Sequence, residues 1–447
     1  PTSITMALSL LSLLPVILWI VFGTSSTTLP PFLVLLTAAF FLGFLLGIDP
    51  LDAMRLIQKG FGKIIQNIGL LILFGTTIGV ALERSHGTLA LAKGILKHLN
   101  KLPLPYAISC IGYLVSIPVF CDAAFVILSQ LNKTLSQQTK TPLIGLTVAL
   151  STGLFAPHVL VPPTPGPLAA AANLNLENLL LLIIVGGSIA FILILVGGAY
   201  GNFLIKKSPY VAPQSEENLG NTSSDTLTLP SFTQALLPIV VPIGLMCLGT
   251  VIKLVPNFIG IEYLIWITQP TLALGVGMLF AFRLLVSKKS INSSVVKGIE
   301  QAAPILIITG MGGALGTIIQ TIPLQNYAQE ISTISSLGIL IPFIIAALLK
   351  TAQGSSTVSI ITTSSIIFPL LPALGLDSEM GKIWAIMALG VGSMTVSHAN
   401  DSYFWIVAQM SGMDVKTAYK THTLGTLLQG VVGLIVVFTG YTIWRLI

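Results

Sequence analysis

Four apolar stretches in this chain are interrupted by clusters that lipid does not tolerate, and the interruptions fall at matching places in the two halves. In the first half they lie at residues 116–122 (SIPVFCD) and, after His158, at 161–167 (VPPTPGP). In the second half they lie at 350–357 (KTAQGSST) and 397–402 (SHANDS). Inside a bilayer every backbone donor and acceptor needs a partner, so non-helical chain at that depth survives only when buried in protein or lining a cavity. Charged groups there are costly and mark function. Paired breaks in corresponding halves point to a transporter's binding site.

The chain is 54% hydrophobic and 8% charged, with mean hydropathy +0.93. Soluble domains carry about a quarter charged residues, so the composition predicts a polytopic membrane protein. The net charge of +6 does not point to nucleic acid, because the basic residues are scattered over short loops without interleaved aromatics. Cys110, Cys121 and Cys247 sit in apolar runs with no CxxC or metal-ligand spacing and read as small apolar filler. Residues 4–22 are apolar and lack the basic start of a signal peptide; they predict a first transmembrane helix.

About 20 apolar residues cross a bilayer. Full-length spans are expected at 4–22, 31–48, 64–82, 179–205, 235–252, 264–285, 304–319 and 422–446. Shorter apolar pieces at 104–117, 123–131, 143–156, 339–349, 358–371, 383–396 and 403–410 each end at a break, as half-helices meeting at mid-membrane would. Residues 206–231, polar and rich in Pro and Ser, read as a linker. The expected organisation is therefore a first membrane repeat at 1–205, a cytoplasmic linker at 206–231 and a second repeat at 232–447. GTTIG at 75–79 resembles GMGGA at 310–314 (310 − 75 = 235), Ser116 matches Lys350 (350 − 116 = 234) and His158 matches His398 (398 − 158 = 240).

Positive charge predicts that the repeats are inverted. Arg84, Lys93, Lys97 and Lys101 follow the third helix of the first half, and residues 320–336 of the second half contain no Lys or Arg. Threaded with interrupted hairpins that re-enter from their own sides, fourteen of the 21 basic residues fall inside, six fall outside and Lys350 lies within the membrane. Arg55, Lys59 and Lys63, on the outside, are the awkward cluster. Both termini then lie outside. The predicted fold is an all-α polytopic membrane protein of two inverted-topology repeats with re-entrant hairpins and broken helices.

The polar residues in the breaks are the candidate site. Asp122, between apolar flanks, can take and lose a proton during a transport cycle; it can equally cap the half-helix that follows. Lys350 needs an anion, either a substrate carboxylate or one of Asp122 and Asp401. Ser355, Ser356 and Thr357 would open the next half-helix, whose N–H groups attract an anion. His398, Asn400, Asp401 and Ser402 form the densest polar group and suit a polyhydroxylated ligand. His158 is either a proton group or a structural histidine. Thr164 and the carbonyls of the Pro-rich loop are expected to face the cavity, with Gln353 reading a hydroxyl. The glycines at 75–79 and 310–316 predict close helix packing. No HExxH or Cys/His cluster supports an enzyme.

With IPVFCDAAFVIL (117–128), VPPTPGPLAAA (161–171), KTAQGSSTVSIITTSSI (350–366) and SHANDSYFW (397–405) in this order, the chain resembles the gluconate permease family, the gluconate:proton symporters of the ion transporter superfamily. The resemblance covers essentially the whole chain and differs at Asp122, where Glu also occurs in the family, and at Lys350, where Arg does. It implies proton-coupled uptake of gluconate or a related sugar acid across the bacterial inner membrane, and a homodimer with scaffold and mobile parts. On this basis Lys350 and the 355–357 helix start are expected to hold the carboxylate, and Asn400, Ser402, Thr164 and Gln353 to read hydroxyls. Asp122 or Asp401, backed by His158 or His398, would carry the proton. No cofactor is expected. The rivals are a sodium-coupled carboxylate or D-serine transporter and an intramembrane metal-dependent enzyme built on His158, His398, Asp122 and Asp401.

Overall fold

The computed structural model describes residues 12, 14–16, 18–20, 22–23, 29–99, 101–209, 229–253, 261–285, 287–322, 338–398 and 401–446. Most of the expected first span, most of the linker and Asn400 lie outside the described residues, as does the side chain of Gln353. The described chain is predominantly helical with no strand among the described residues, and seven of its helices are long and apolar enough to cross a membrane.

The longest helix, Pro50–Arg84, begins fourteen residues before the expected start at 64. Asp49 accepts a hydrogen bond from Leu51 N–H and Pro50 fills the first position, so a strong start signal precedes the apolar run. Buried Ala53, Ile57, Gly60, Ile64 and Ile68 follow one helical stripe, which a search for continuous apolar chain overlooks. At 1.5 Å per residue its 35 residues span roughly 52 Å, well over the ~30 Å hydrocarbon core. The first turns, with Arg55, Lys59 and Lys63, therefore project beyond the hydrocarbon. Lys288–Ile319, its counterpart, likewise starts earlier than the expected 304, on a Ser287 cap.

These two helices show the inversion directly. A Cβ added to Gly60 would lie 2.5 Å from Gly313 O, and Thr76 Oγ1 donates to Gly298 O at 3.0 Å. The start of each helix thus meets the end of the other, so equivalent helices run antiparallel. The last helices of the halves repeat the pattern: Tyr200 OH donates to Lys420 O, and Gln429 Nε2 donates to Leu193 O.

Further helices differ from expectation: Cys121–Thr139 and Leu143–Leu160 outrun the expected ends at 131 and 156, and the last segment, Val415–Leu446, starts before 422. The span at 264–285 divides into Ile261–Thr268 and Pro270–Phe282, because Gln269 precedes a proline and is held extended. Leu179–Lys207 runs two residues into the expected linker.

Each half then carries a hairpin and a broken helix. Hairpin 1 joins Leu104–Ser116 to Cys121–Thr139; hairpin 2 joins Leu340–Gln353 to Ser356–Ile367. Break 1 separates Leu143–Leu160 from Pro165–Asn173; break 2 separates Glu379–Met394 from Ser402–Met410. Element starts are offset by 340 − 104 = 236 and 379 − 143 = 236. On that register His158, inside its helix, is not the equivalent of His398, which follows the end of its helix.

Glycines bring these pieces together. Gly112 of hairpin 1 lies so close to Gly153 that a Cβ there would sit 2.6 Å from a backbone carbon. A Cβ on Gly79 would lie 2.5 Å from Pro118 O, so Pro50–Arg84 packs directly on the tip of hairpin 1. The glycine-rich stretches therefore serve packing.

Candidate substrate site

The hairpin tips and break 2 converge with the helix before break 1 on one cavity of about 280 Å³. Hairpin 1 contributes Phe120, Cys121 and Asp122; hairpin 2 contributes Gly354, Ser355, Ser356 and Thr357. Phe155 and His158 come from the helix before break 1, and Asp401, Ser402 and Tyr403 from break 2. The volume lies near the lower end of the roughly 300–1,000 Å³ seen for small-molecule pockets.

Local sequence explains the shape. Gly354 ends its helix at φ +83°, a conformation that favours glycine, so the chain can reverse at the hairpin tip. Ser355 then caps the next helix, its hydroxyl accepting from Val358 N–H at 3.3 Å. Asp401 caps the helix from Ser402, its Oδ1 accepting from Tyr403 N–H at 3.0 Å. Helix starts at Cys121, Ser356 and Ser402 all border the cavity, and each leaves N–H groups free of intrahelical partners.

The two aspartates are held differently. Asp401 Oδ2 accepts from Lys350 Nζ and from Ser397 Oγ, each at 2.6 Å. Lys350 is 1% exposed and also donates to Gly354 O at 2.5 Å. It lies behind the cavity rather than on its wall, and of the expected anions the one it meets is Asp401, in a buried ion pair. Asp122 has no ion-pair partner among the described residues. It is not a helix cap: Phe120 occupies that position and Asp122 lies one residue inside the helix. Its contacts are long, 3.5 Å from Cys121 Sγ and 3.4 Å from Ser402 Oγ.

His158 lines the same cavity, stacked on Phe155 at 6.5 Å between ring centres, and its buried Nδ1 has no hydrogen-bond partner. A buried ring nitrogen without a partner is costly unless a ligand or water meets it. Thr164 is not on this wall. It borders a narrow crevice on another side of His158, and its hydroxyl turns back to Val161 O at 2.5 Å. His398 also stands apart, with Nε2 2.9 Å from Thr351 O.

The structure therefore brings together Asp122, Ser355, Ser356, Thr357, Asp401, Ser402 and His158, and sets Lys350, Thr164 and His398 away from the wall. The sequence reading missed His422. This fully buried residue joins Ser151 to Ser397, with each ring nitrogen 3.1 Å from a serine oxygen. A histidine at the polar edge of a long apolar run gives little signal before tertiary partners are known. Among the described residues no three His, Cys, Asp or Glu side chains gather as a metal site would need.

Comparison with known proteins agrees with this architecture. The chain is 33% identical over 444 residues to a permease of Haemophilus influenzae, covering 95% of this chain and 90% of that one. It is 29% identical to the D-serine transporter DsdX of Escherichia coli, covering 90% and 92%. It is 28% identical to a gluconate permease of Pseudomonas aeruginosa, covering 91% of each. In three dimensions it resembles the YdaH transporter of Alcanivorax borkumensis, with a TM-score of 0.66 at 13% identity over 92% of this chain and 97% of that one. The pattern shared by GntP family permeases matches residues 7–443, and the chain belongs to that family of multi-pass membrane permeases, which are transporters and not enzymes.

Proposed function

We propose that the cavity binds a hydroxylated monocarboxylate such as gluconate and that Asp122 couples its entry to a proton. The observation that carries this reading is the contrast between the two aspartates. Asp401, on the wall, is neutralised by Lys350 behind it, and Asp122 stands on the same wall without an ion-pair partner among the described residues. An anion beside an ionised Asp122 meets repulsion of about 4 kcal/mol at 4 Å in a medium of intermediate polarity. Protonation of Asp122 removes that term, so proton and substrate favour each other's binding. The carboxylate is received by the helix starts at Ser356 and Ser402. Ser355 and Thr357, which line the cavity, meet hydroxyls. Asn400 and the side chain of Gln353, outside what the structure describes, keep their proposed hydroxyl-reading roles.

In this reading the protein lies in the bacterial inner membrane as a homodimer, with both termini outside. The halves 1–205 and 232–447 form the two repeats, joined by a cytoplasmic linker at 206–231. The relatives' names support the substrate class, and the inside bias of positive charge supports the sidedness.

A second substrate class has its own support. An unpaired carboxylate on the wall also suits an ammonium, and one relative is a D-serine transporter. Uptake by proteoliposomes of labelled gluconate, other sugar acids and D-serine, with proton or sodium gradients imposed separately, tests these readings. Under the proposal gluconate uptake follows the proton gradient. Its apparent affinity falls as pH rises in the wild type, and Asp122→Asn removes this pH dependence, abolishes accumulation and retains exchange. Full accumulation by Asp122→Asn, or uptake that requires sodium, would contradict the proposal. Preference for D-serine, lost in Asp122→Asn, would favour the second class.

A further inference from the structure

Ser397 is gripped on three sides by the start of the last transmembrane segment. Thr423 Oγ1 donates to Ser397 O at 2.6 Å, and Ser397 N–H donates to Thr426 Oγ1 at 3.1 Å. His422 Nε2 lies 3.1 Å from Ser397 Oγ. The serine hydroxyl is committed as a donor to Asp401 Oδ2 at 2.6 Å, so its oxygen is left to accept. His422 Nε2 must then carry the hydrogen. On the neutral ring Nδ1 is the acceptor, facing Ser151 Oγ at 3.1 Å on the helix before break 1, and the Ser151 hydroxyl turns its hydrogen to Nδ1 in place of Val148 O at 3.2 Å.

The charged and titratable groups around this ring are few. Asp401 is reached through Ser397, and Lys350 lies beyond it. The Tyr403 ring packs edge-on against His422 at 5.4 Å, and its hydroxyl donates to Ser151 O at 2.9 Å. His422 itself lies in the π turn Tyr419–Thr423. Such turns concentrate at functional places in helices.

From this geometry we infer that His422 is a positioning residue for the substrate site, an inference that rests on the proposed role of the cavity. Its Nε2–H keeps the Ser397 hydroxyl on Asp401. Asp401 in turn holds the Lys350 ammonium behind the wall and caps the helix from Ser402, whose start borders the cavity. When the His422 donor is lost, Ser397 is free to rotate, and Asp401 loses one of its three partners. The helix start that receives the substrate is then misplaced, which weakens substrate binding more than turnover.

The test compares His422→Ala, His422→Gln, Ser397→Ala and the double variant His422→Ala/Ser397→Ala, in the full chain reconstituted in liposomes. His422→Ala is expected to raise KM for gluconate about tenfold, with kcat within about twofold of wild type. His422→Gln, which keeps an N–H donor, is expected to recover most of the affinity. The double variant should be no worse than Ser397→Ala alone, because both changes cut one link. The same non-additivity is expected in the melting temperatures of the purified proteins, which need no substrate. Additive losses in the two readouts, a Gln variant as impaired as the Ala variant, or an unchanged KM in His422→Ala would overturn the inference. If the wild type transports no sugar acid, the substrate reading fails and the melting cycle alone decides the His422–Ser397 link.

Discussion

At the scale of single residues, the buried Lys350–Asp401 pair makes the sharpest demand on the structure. Removing one member of such a pair leaves an uncompensated charge in a dry interior and costs about 3–5 kcal/mol. Lys350→Met and Asp401→Asn are each expected to lower the melting temperature markedly. The combined Lys350→Met/Asp401→Asn variant should melt closer to wild type, because no lone charge remains. A double variant whose loss equals the sum of the single losses would show that the pair is not coupled. These charges were legible in the sequence because each interrupts apolar chain. What they face was not: Lys350 has two aspartates to choose between, and only the folded chain places Asp401 2.6 Å from it. The separation of Asp122 as the free carboxylate was hidden for the same reason, as was His422, whose partners Ser151 and Ser397 lie 271 and 25 residues away.

At the scale of elements, the crossing of Pro50–Arg84 with Lys288–Ile319 depends on bare backbone at Gly60 and Gly313. A Cβ at Gly60 would stand 2.3 Å from Thr317 Oγ1 and 2.5 Å from Gly313 O, and one at Gly62 would meet nothing within 4 Å. Gly60→Val is therefore expected to lower the melting temperature and the yield of folded protein. Gly62→Val, with only its helix propensity changed, should fall within about 1 kcal/mol of wild type. Equal effects at the two sites would refute the contact. The existence of the breaks, hairpins and half-helices was legible, because Pro, Gly and charge interrupt lipid-grade chain at conspicuous places. Helix ends were less so. The amphipathic start of Pro50–Arg84 carries Arg55, Lys59 and Lys63 on its exposed side, and a hydropathy search stops where those residues begin. The split at Gln269 was missed because Pro270 sits within an otherwise continuous apolar run.

At the scale of the whole molecule, inversion was legible from charge asymmetry and appears in the structure as two antiparallel pairs of equivalent helices. Absolute sidedness is a separate matter, and labelling decides it. With Cys110, Cys121 and Cys247 replaced by alanine, Ser215→Cys in the linker should resist an impermeant maleimide in intact cells and react in inverted vesicles. The opposite pattern would turn the molecule over. The central claim is that both hairpin tips, break 2 and the helix before break 1 enclose one site for an anion, with Lys350 turned away from it. A structure of the protein with gluconate in lipid nanodiscs tests this most directly. The account predicts the carboxylate at the helix starts of Ser356 and Ser402, with Asp122 beside the sugar acid; density elsewhere, or a carboxylate bound to Lys350 Nζ in place of Asp401, would contradict it.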